Sequence, residues 1–291
     1  MKIITDSGAN LDPAEARALG INVVPFSITF KGNTYQDGID LTAGELYHLM
    51  ETHADLFPTT SQPSAGVFEQ VYRAAVTQDH AEILSIHISS GLSGTYQAAS
   101  LAAQQLPDAE ITLFDTRTLS IPMSWIVKSA ALAVQQGLSV EAITERLQHL
   151  RENSEAFFTL TDLKYLRHGG RISHIRSLAA AILRIKPIIA VGSDGKYETR
   201  GQEMTFRKAL GKMAELAGAR FPGKKLFIEI MHGENPEAVE RVRDLLGEFT
   251  EFVEGAVARI PAALGSHTGP SLVGVSVMPL DLAQEVGLVQ G

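Results

Sequence analysis

The feature that most constrains this chain is the alternation, through its first half, of short apolar runs with helix-forming segments. "KIITDS" reads as a short buried strand. "DPAEARALG" follows, with Asp12 as N-cap, Pro13 at the first helical position and Gly20 past the end. "INVVPFSITF" is expected as one strand, and "FKGNTYQDG" as a hairpin turn leading into a polar loop. "TAGELYHLMETHA" opens with a capping box, Thr42 paired with Glu45. After the polar loop "PTTSQPS" come a helix from about Ala65, the strand "EILSIHIS" and a helix from about Gly94. The strand "ITLFDT" then precedes two amphipathic helices between about Ser124 and Glu152. Strands separated by helices pair in parallel, and the helices cover both faces of the sheet. Ligands of such sheets gather at the carboxyl ends of strands, so the loops after "IITD", "LSIHI" and "TLFD" are candidates by geometry.

The second half has a different grammar. "AFFTLTD" and "KPIIAVGSDGKYETRG" read as strands, the latter a hairpin turning at Ser193-Asp194-Gly195. "TFRKALGKMAELAG" and "PEAVERVRDLLGEF" are amphipathic helices, and "KLFIEIMHG", "EFVEGAVARIP" and "SLVGVSVMPL" are strands. Strands joined by a tight turn are antiparallel, so this half is an α+β unit on a mixed sheet. The expected fold class is α/β in two domains. Residues 1–154 form a Rossmann-like, mostly parallel sheet with flanking helices, and residues 155–291 the α+β domain. A length of 291 residues suits two domains.

Composition excludes several kinds of chemistry. A net charge of -8 argues against nucleic acid as partner. The chain has no cysteine, which removes disulfides, thiolate metal sites and cysteine nucleophiles. The histidines show no metal-ligand spacing, so neither a metal nor another cofactor is expected. "MKIITDS" lacks the pattern of a secretion signal and no apolar run is long enough to span a bilayer; the expectation is a soluble, cytoplasmic protein.

The stretch "LSIHISSGLSGTYQAAS", Leu84 to Ser100, carries the most chemistry. Gly91-Leu92-Ser93-Gly94-Thr95 resembles a nucleophile elbow, G-x-S-x-G, but lacks the last glycine. Asp115 and His267 could complete a serine esterase with Ser93, although their order and spacing are unspecific. Binding an anion requires less. Ser89, Ser90, Ser93 and Gly94 sit where a strand hands over to a helix, and free backbone N–H groups with the helix dipole favour negative charge there. The plainer role for Ser93 is an N-cap. "TTSQPS", Thr59 to Ser64 and including Thr60 and Ser61, is a second hydroxyl cluster before a helix. "LKYLRHGGRIS" sets Arg167, His168 and Arg171 around a Gly-Gly turn, and "GSHTGPS" sets His267 in a Gly-Pro turn.

Taken together, "TDSGANL", "TTSQPS", "SSGLSGTYQ", "YLRHGGRIS", "KPI" and "GSHTGP" occur in an order that resembles the DegV family, the fatty-acid-binding subunits of bacterial fatty acid kinase. The resemblance spans essentially the whole chain. It implies a non-catalytic lipid-binding subunit that holds a long-chain fatty acid in a tunnel between its two domains. The carboxylate would be presented to a separate ATP-dependent kinase subunit, and lipid would be exchanged by transient membrane contact without stable insertion. By motif, Thr60 and Ser93 match the residues that bind the carboxylate in that family. Ser61, Gly94, Arg171 and His267 match supporting positions, and Arg200 and Arg207 are candidates for docking the kinase. Two departures stand out. Family members often carry S-x-G-x-G where this chain has Ser120-Ile121-Pro122-Met123-Ser124, which would reshape the tunnel. Arginines common before the "K-A" of a later helix are replaced by Met204 and Phe206, which leaves Arg207. The readings that compete with a carrier are a serine esterase using Ser93 and a lipid sensor without a kinase partner.

Overall fold

A computed structural model describes residues 1–53, 55–79, 82–174 and 185–289. Strands β1 (Lys2–Asp6), β2 (Ile21–Val24), β6 (Ile83–His87) and β7 (Ile111–Asp115) form a sheet in the order β2-β1-β6-β7, parallel throughout. Successive side chains of a strand point to opposite faces. Ile3 and Ile4 follow this rule, entering two different apolar clusters, and both are buried. The Ile4 face packs on α3 (Ala65–Asp79) and α4 (Thr95–Gln104) through Phe68, Tyr72, Ala98 and Ala102. The Ile3 face lies against α5 (Ser120–Gln135), which also touches the second half of the chain.

Three local expectations need correction. "INVVPFSITF" is two strands, because Pro25 has no N–H for a ladder and the chain leaves the parallel sheet there. Its continuation, β3 (Ser27–Phe30), turns back through Lys31 and Gly32 into β4 (Asn33–Gln36). Both turn residues are left-handed, φ 52° and 79°, as a two-residue hairpin of this twist requires. The segment "TTSQPS" is not simply a loop, since β5 (Thr59–Ser61) pairs antiparallel with the other edge of β3, Ile28 opposite Thr60. Finally, "SIPMS" is helical. Helix α5 starts at Ser120 rather than Ser124, with Pro122 in the first turn, where a missing N–H costs nothing. The helix is buried on almost every side rather than amphipathic, because it runs between the two halves of the molecule.

The second half is built on six strands: β8 (Glu155–Thr159), β9 (Lys186–Val191), β10 (Tyr197–Glu203), β11 (Leu226–His232), β12 (Phe252–Arg259) and β13 (Val273–Pro279). Their order is β10-β9-β8-β13-β11-β12, with only β11 and β12 parallel, so the sheet is mixed as its hairpin implies. Helices α8 (Phe206–Gly218) and α9 (Pro236–Phe249) bury one face against Leu226, Ile228 and Val275. The β9–β10 turn at Ser193–Gly195 reaches across to the first half. Ser89 Oγ donates to the Gly195 carbonyl at 2.6 Å, and Arg117 Nη1 donates to the Ser193 carbonyl at 3.4 Å. Gly91 has to be glycine at this join, because a Cβ would stand 2.7 Å from the Gly195 oxygen. Among the described residues, no helix is long and apolar enough to cross a membrane, and no group of three or more acidic or histidine side chains could hold a metal ion.

Candidate functional site

The loops at the carboxyl ends of β1, β6 and β7 face the mixed sheet, and a cavity lies between them. Thr60 reaches it from β5, where strand alternation turns Thr60 inward and leaves Ser61 exposed. Its partner is His267, with Thr60 Oγ1 2.7 Å from His267 Nε2. His267 lies in the last turn of helix α10 (Ala262–Thr268) rather than in a Gly-Pro turn. Gly269, at φ 75°, ends that helix and Pro270 follows it.

Burial first and the neighbouring Arg171 charge second push the His267 pKa down to about 3, so the imidazole is neutral at physiological pH. Its Nδ1 is sealed from solvent without a hydrogen-bond partner. A buried N–H left unpaired is costlier than a bare acceptor, so the proton belongs on Nε2. His267 then donates to Thr60, and the Thr60 hydroxyl proton is free to point into the cavity. The ring edge is packed on Gly169, where a Cβ would lie 2.1 Å from Nδ1. The second glycine of the Gly-Gly turn, Gly170, has φ 76°. Arg171 follows it and is held by the carbonyls of Gly169 (2.7 Å) and Leu92 (3.4 Å), with its side chain lining the same cavity.

Ser93 also lines this cavity, at the entry to α4. Its hydroxyl lies 2.8 Å from Thr95 Oγ1 and accepts from the Thr95 N–H at 3.4 Å; the N-cap is Gly94, so Ser93 is not the cap that the sequence suggests. The Gly94 N–H that the sequence offers to an anion is instead taken by Gln62 Oε1 at 3.1 Å. Gln62 sits so close that a Cβ on Gly94 would meet its amide at 2.5 Å. Ser89 and Ser90 do not face the cavity as an anion site would require. Ser89 joins the two halves, and Ser90 bonds Asp115 through both its hydroxyl (2.6 Å) and its N–H (3.1 Å). Asp115 also accepts from the Arg117 N–H at 3.0 Å. Ser93, His267 and Asp115 therefore each bond to other groups, and no serine–histidine–aspartate relay is assembled.

Thr60, Ser93, Arg171 and His267, distant in sequence, thus converge on one cavity, whose remaining wall is largely apolar. Two polar lining residues escaped the sequence reading, Gln62 and Tyr197. Gln62 lies inside the quoted "TTSQPS", where its hydroxyl neighbours drew the attention; Tyr197 is one apolar-looking residue in a strand. A second, apolar chamber adjoins it, the two sharing Leu119, Tyr197 and Leu264 in their walls. Phe158, Met231, Ile260 and Leu272 line that chamber.

The other basic candidates lie elsewhere. Arg200 bonds Glu155 at 2.8 Å and Glu198 at 2.9 Å. It borders a separate groove with Arg117, Arg151 and Arg220, outside the residues around Thr60 and Ser93. Arg207 is exposed in the first turn of α8, and Met204 just before it is 63% exposed. Arg167 is exposed and His168 stacks on Phe57 with ring centroids 4.5 Å apart. Arg176, a further basic residue five positions after Arg171 that could also flank the site, lies outside the described residues.

Comparison with known proteins places this architecture. A family model described as an uncharacterised protein, DegV family, matches residues 1–280. A DegV domain-containing protein of Clostridium perfringens is 33% identical over 275 residues, 94% of this chain and 97% of the relative. Among solved structures, one described as fatty acid binding of a DegV family protein from Thermus thermophilus is similar with a TM-score of 0.86 and 31% identity, covering 96% of this chain and 99% of that one. A stearic acid-binding protein from Eubacterium ventriosum is similar with a TM-score of 0.84 and 27% identity, over 96% of this chain and 98% of that one.

Proposed function

The chain belongs to the DegV family, and from that membership we propose that it is a carrier of a long-chain fatty acid. The carboxylate sits at Thr60 and Ser93, and the acyl chain runs past Leu119 and Tyr197 into the second chamber. In this reading residues 1–154 and 155–291 are the two domains that enclose the ligand. The observation that carries it is the difference in polarity between two adjoining cavities. Two hydroxyls and a guanidinium stand in one, and the other has an almost wholly apolar lining.

Energetics agree with a carboxylate head and an alkyl tail. Burying about fourteen methylenes at roughly 0.8 kcal/mol each gives an upper bound near 11 kcal/mol, so the tail supplies most of the affinity. The hydroxyls orient the head. Thr60 has its proton free because His267 supplies the other hydrogen bond, and the Arg171 charge favours an ionised ligand. A separate ATP-dependent kinase subunit then phosphorylates the presented carboxylate. Arg207 remains an exposed basic candidate for docking it, whereas Arg200 is already ion-paired.

Mass spectrometry of an organic extract of the purified, denatured protein tests the reading. A fatty acid at near-stoichiometric amount is expected. Its absence, together with no thermal shift on adding palmitic or stearic acid, overturns the carrier. Acyl-phosphate formation with a kinase and ATP separates a carrier from a lipid sensor.

A further inference from the structure

One side chain of the Thr60 cavity stands apart from the others. Of the described residues that line it, Gln62 alone is exposed, and the rest are buried or half-buried. Gln62 therefore marks where the cavity wall meets solvent. Its placement follows from the chain. A residue before a proline is held extended, so Pro63 carries the alternation of β5 one residue past its end. Gln62 then points the way of Thr60, and Ser61 between them stays off the cavity. From there the amide spans to the start of α4. Gly94, the N-cap, brings no side-chain cap to that helix, and its own N–H donates to Gln62 Oε1 at 3.1 Å. The amide lies close over Gly94, where a Cβ would stand 2.5 Å from Nε2 and 2.8 Å from Oε1. Among the described residues this is the one hydrogen bond that the Gln62 side chain makes.

A wall of buried side chains opens only by repacking, whereas an exposed side chain on one neutral hydrogen bond turns out into water readily. We propose that Gln62 is the gate of this cavity. Bonded to Gly94 it closes the edge between β5 and α4, and swung into solvent it lets the acyl chain and then the carboxylate pass. The proposal rests on the fatty-acid reading and adds the route by which that same site is loaded. A gate and a ligand contact differ in their kinetics. Loosening a gate raises entry and release together, because both pass through the open state. Removing a contact to the bound ligand raises release alone.

Stopped-flow exchange of a fluorescent long-chain fatty acid on the whole chain tests this. Gln62→Ala removes the latch from one side. Gly94→Ala removes it from the other, since its Cβ takes the place of the amide while φ −77° suits alanine. Each should raise the association and release rates together by about threefold to tenfold, the worth of one net neutral hydrogen bond. The double variant should be no faster than the faster single one, because both changes open the same latch. The gate is overturned if either rate of Gln62→Ala stays within about twofold of wild type, a rise in release alone included, or if the two substitutions multiply. A wild-type protein that takes up no fatty acid overturns the fatty-acid reading itself, and the gate with it.

Discussion

Two histidines in this molecule, one fully buried and one half-buried, make opposite use of the same chemistry. His87, at the end of β6, sits in a sealed chain. Its Nδ1 is 3.0 Å from Asp6 Oδ2, its Nε2 is 2.7 Å from Ser85 Oγ, and Ser85 Oγ is 2.8 Å from Tyr72 OH. Asp6 also accepts the N–H groups of Gly8 and Ile88, each at 3.0 Å. All four side chains are fully buried. On residue types alone this aspartate–histidine–serine series looks more like a catalytic relay than anything around Ser93, yet no solvent or cavity reaches it. Among the described residues His267 bonds only Thr60, its Nδ1 is packed against Gly169, and the Thr60 hydroxyl it supports is left to face the cavity. What separates scaffold from site is therefore hydrogen-bonding capacity left over at a cavity wall, and not the kinds of residue present.

The largest effect should come from the sealed chain. His87→Ala opens a cavity and strips partners from Asp6 and Ser85, so unfolding in urea should show a loss of about 3–5 kcal/mol. Fatty-acid affinity of the folded fraction should stay within about threefold of wild type. A stable His87→Ala protein that binds poorly would reverse the roles of the two histidines.

Asp37 sharpens the contrast on the side of the site. It is buried at the start of α10, accepting from the Ala263 N–H at 3.3 Å while its Oδ2 has no partner. Desolvation by burial, partly offset by the Ser7 and Ala263 hydrogen bonds, raises its pKa from 3.8 to about 6. A carboxyl with a raised folded-state pKa holds its proton more tightly when folded, so its contribution is greatest below about pH 4 and declines as pH rises to about 6. The drop amounts to about 3 kcal/mol. Asp37→Asn keeps an oxygen for Ala263 and removes the drop. Stability measured from pH 4 to 7 should fall less steeply in the variant than in wild type. Parallel curves would show that Asp37 is not a burdened acid.

Ser93→Ala comes next. A hydrogen bond to a carboxylate is worth about 1.5–3 kcal/mol, so affinity for palmitic acid should weaken roughly tenfold to a hundredfold by titration calorimetry, with little change in unfolding. A loss seen only in stability would reduce Ser93 to a local support of Thr95 at the start of α4. The smallest expected effect is none at all. Because His267 is neutral with a pKa near 3, affinity between pH 6 and 8 should change less than about threefold. A step centred near the ordinary histidine value would mean that a protonated imidazole binds the ligand.

Legibility in the sequence followed the range of the forces involved. Periodicity and turn chemistry are local, so the parallel sheet, the Thr42–Glu45 capping box and the Ser193–Gly195 turn could be read directly. Proline breaks are local too, but "INVVPFSITF" was apolar enough to mask the one at Pro25. The β5 strand was illegible because three polar residues become a strand only when β3 offers its edge. The site was half legible. Motif resemblance singled out Thr60, Ser93, Arg171 and His267, which line one cavity, whereas the occupation of Gly94 by Gln62, the diversion of Ser89 and Ser90, and the place of Tyr197 in the wall depend on contacts between residues far apart in sequence.

The central claim is the direction in which the ligand lies. Anomalous diffraction from crystals grown with an ω-bromo long-chain fatty acid reads it directly. The account predicts the bromine peak in the second chamber beside Met231 and Leu272, with the carboxylate within hydrogen-bond distance of Thr60 and Ser93. A bromine peak near Thr60, or one outside the space between the two sheets, would contradict it.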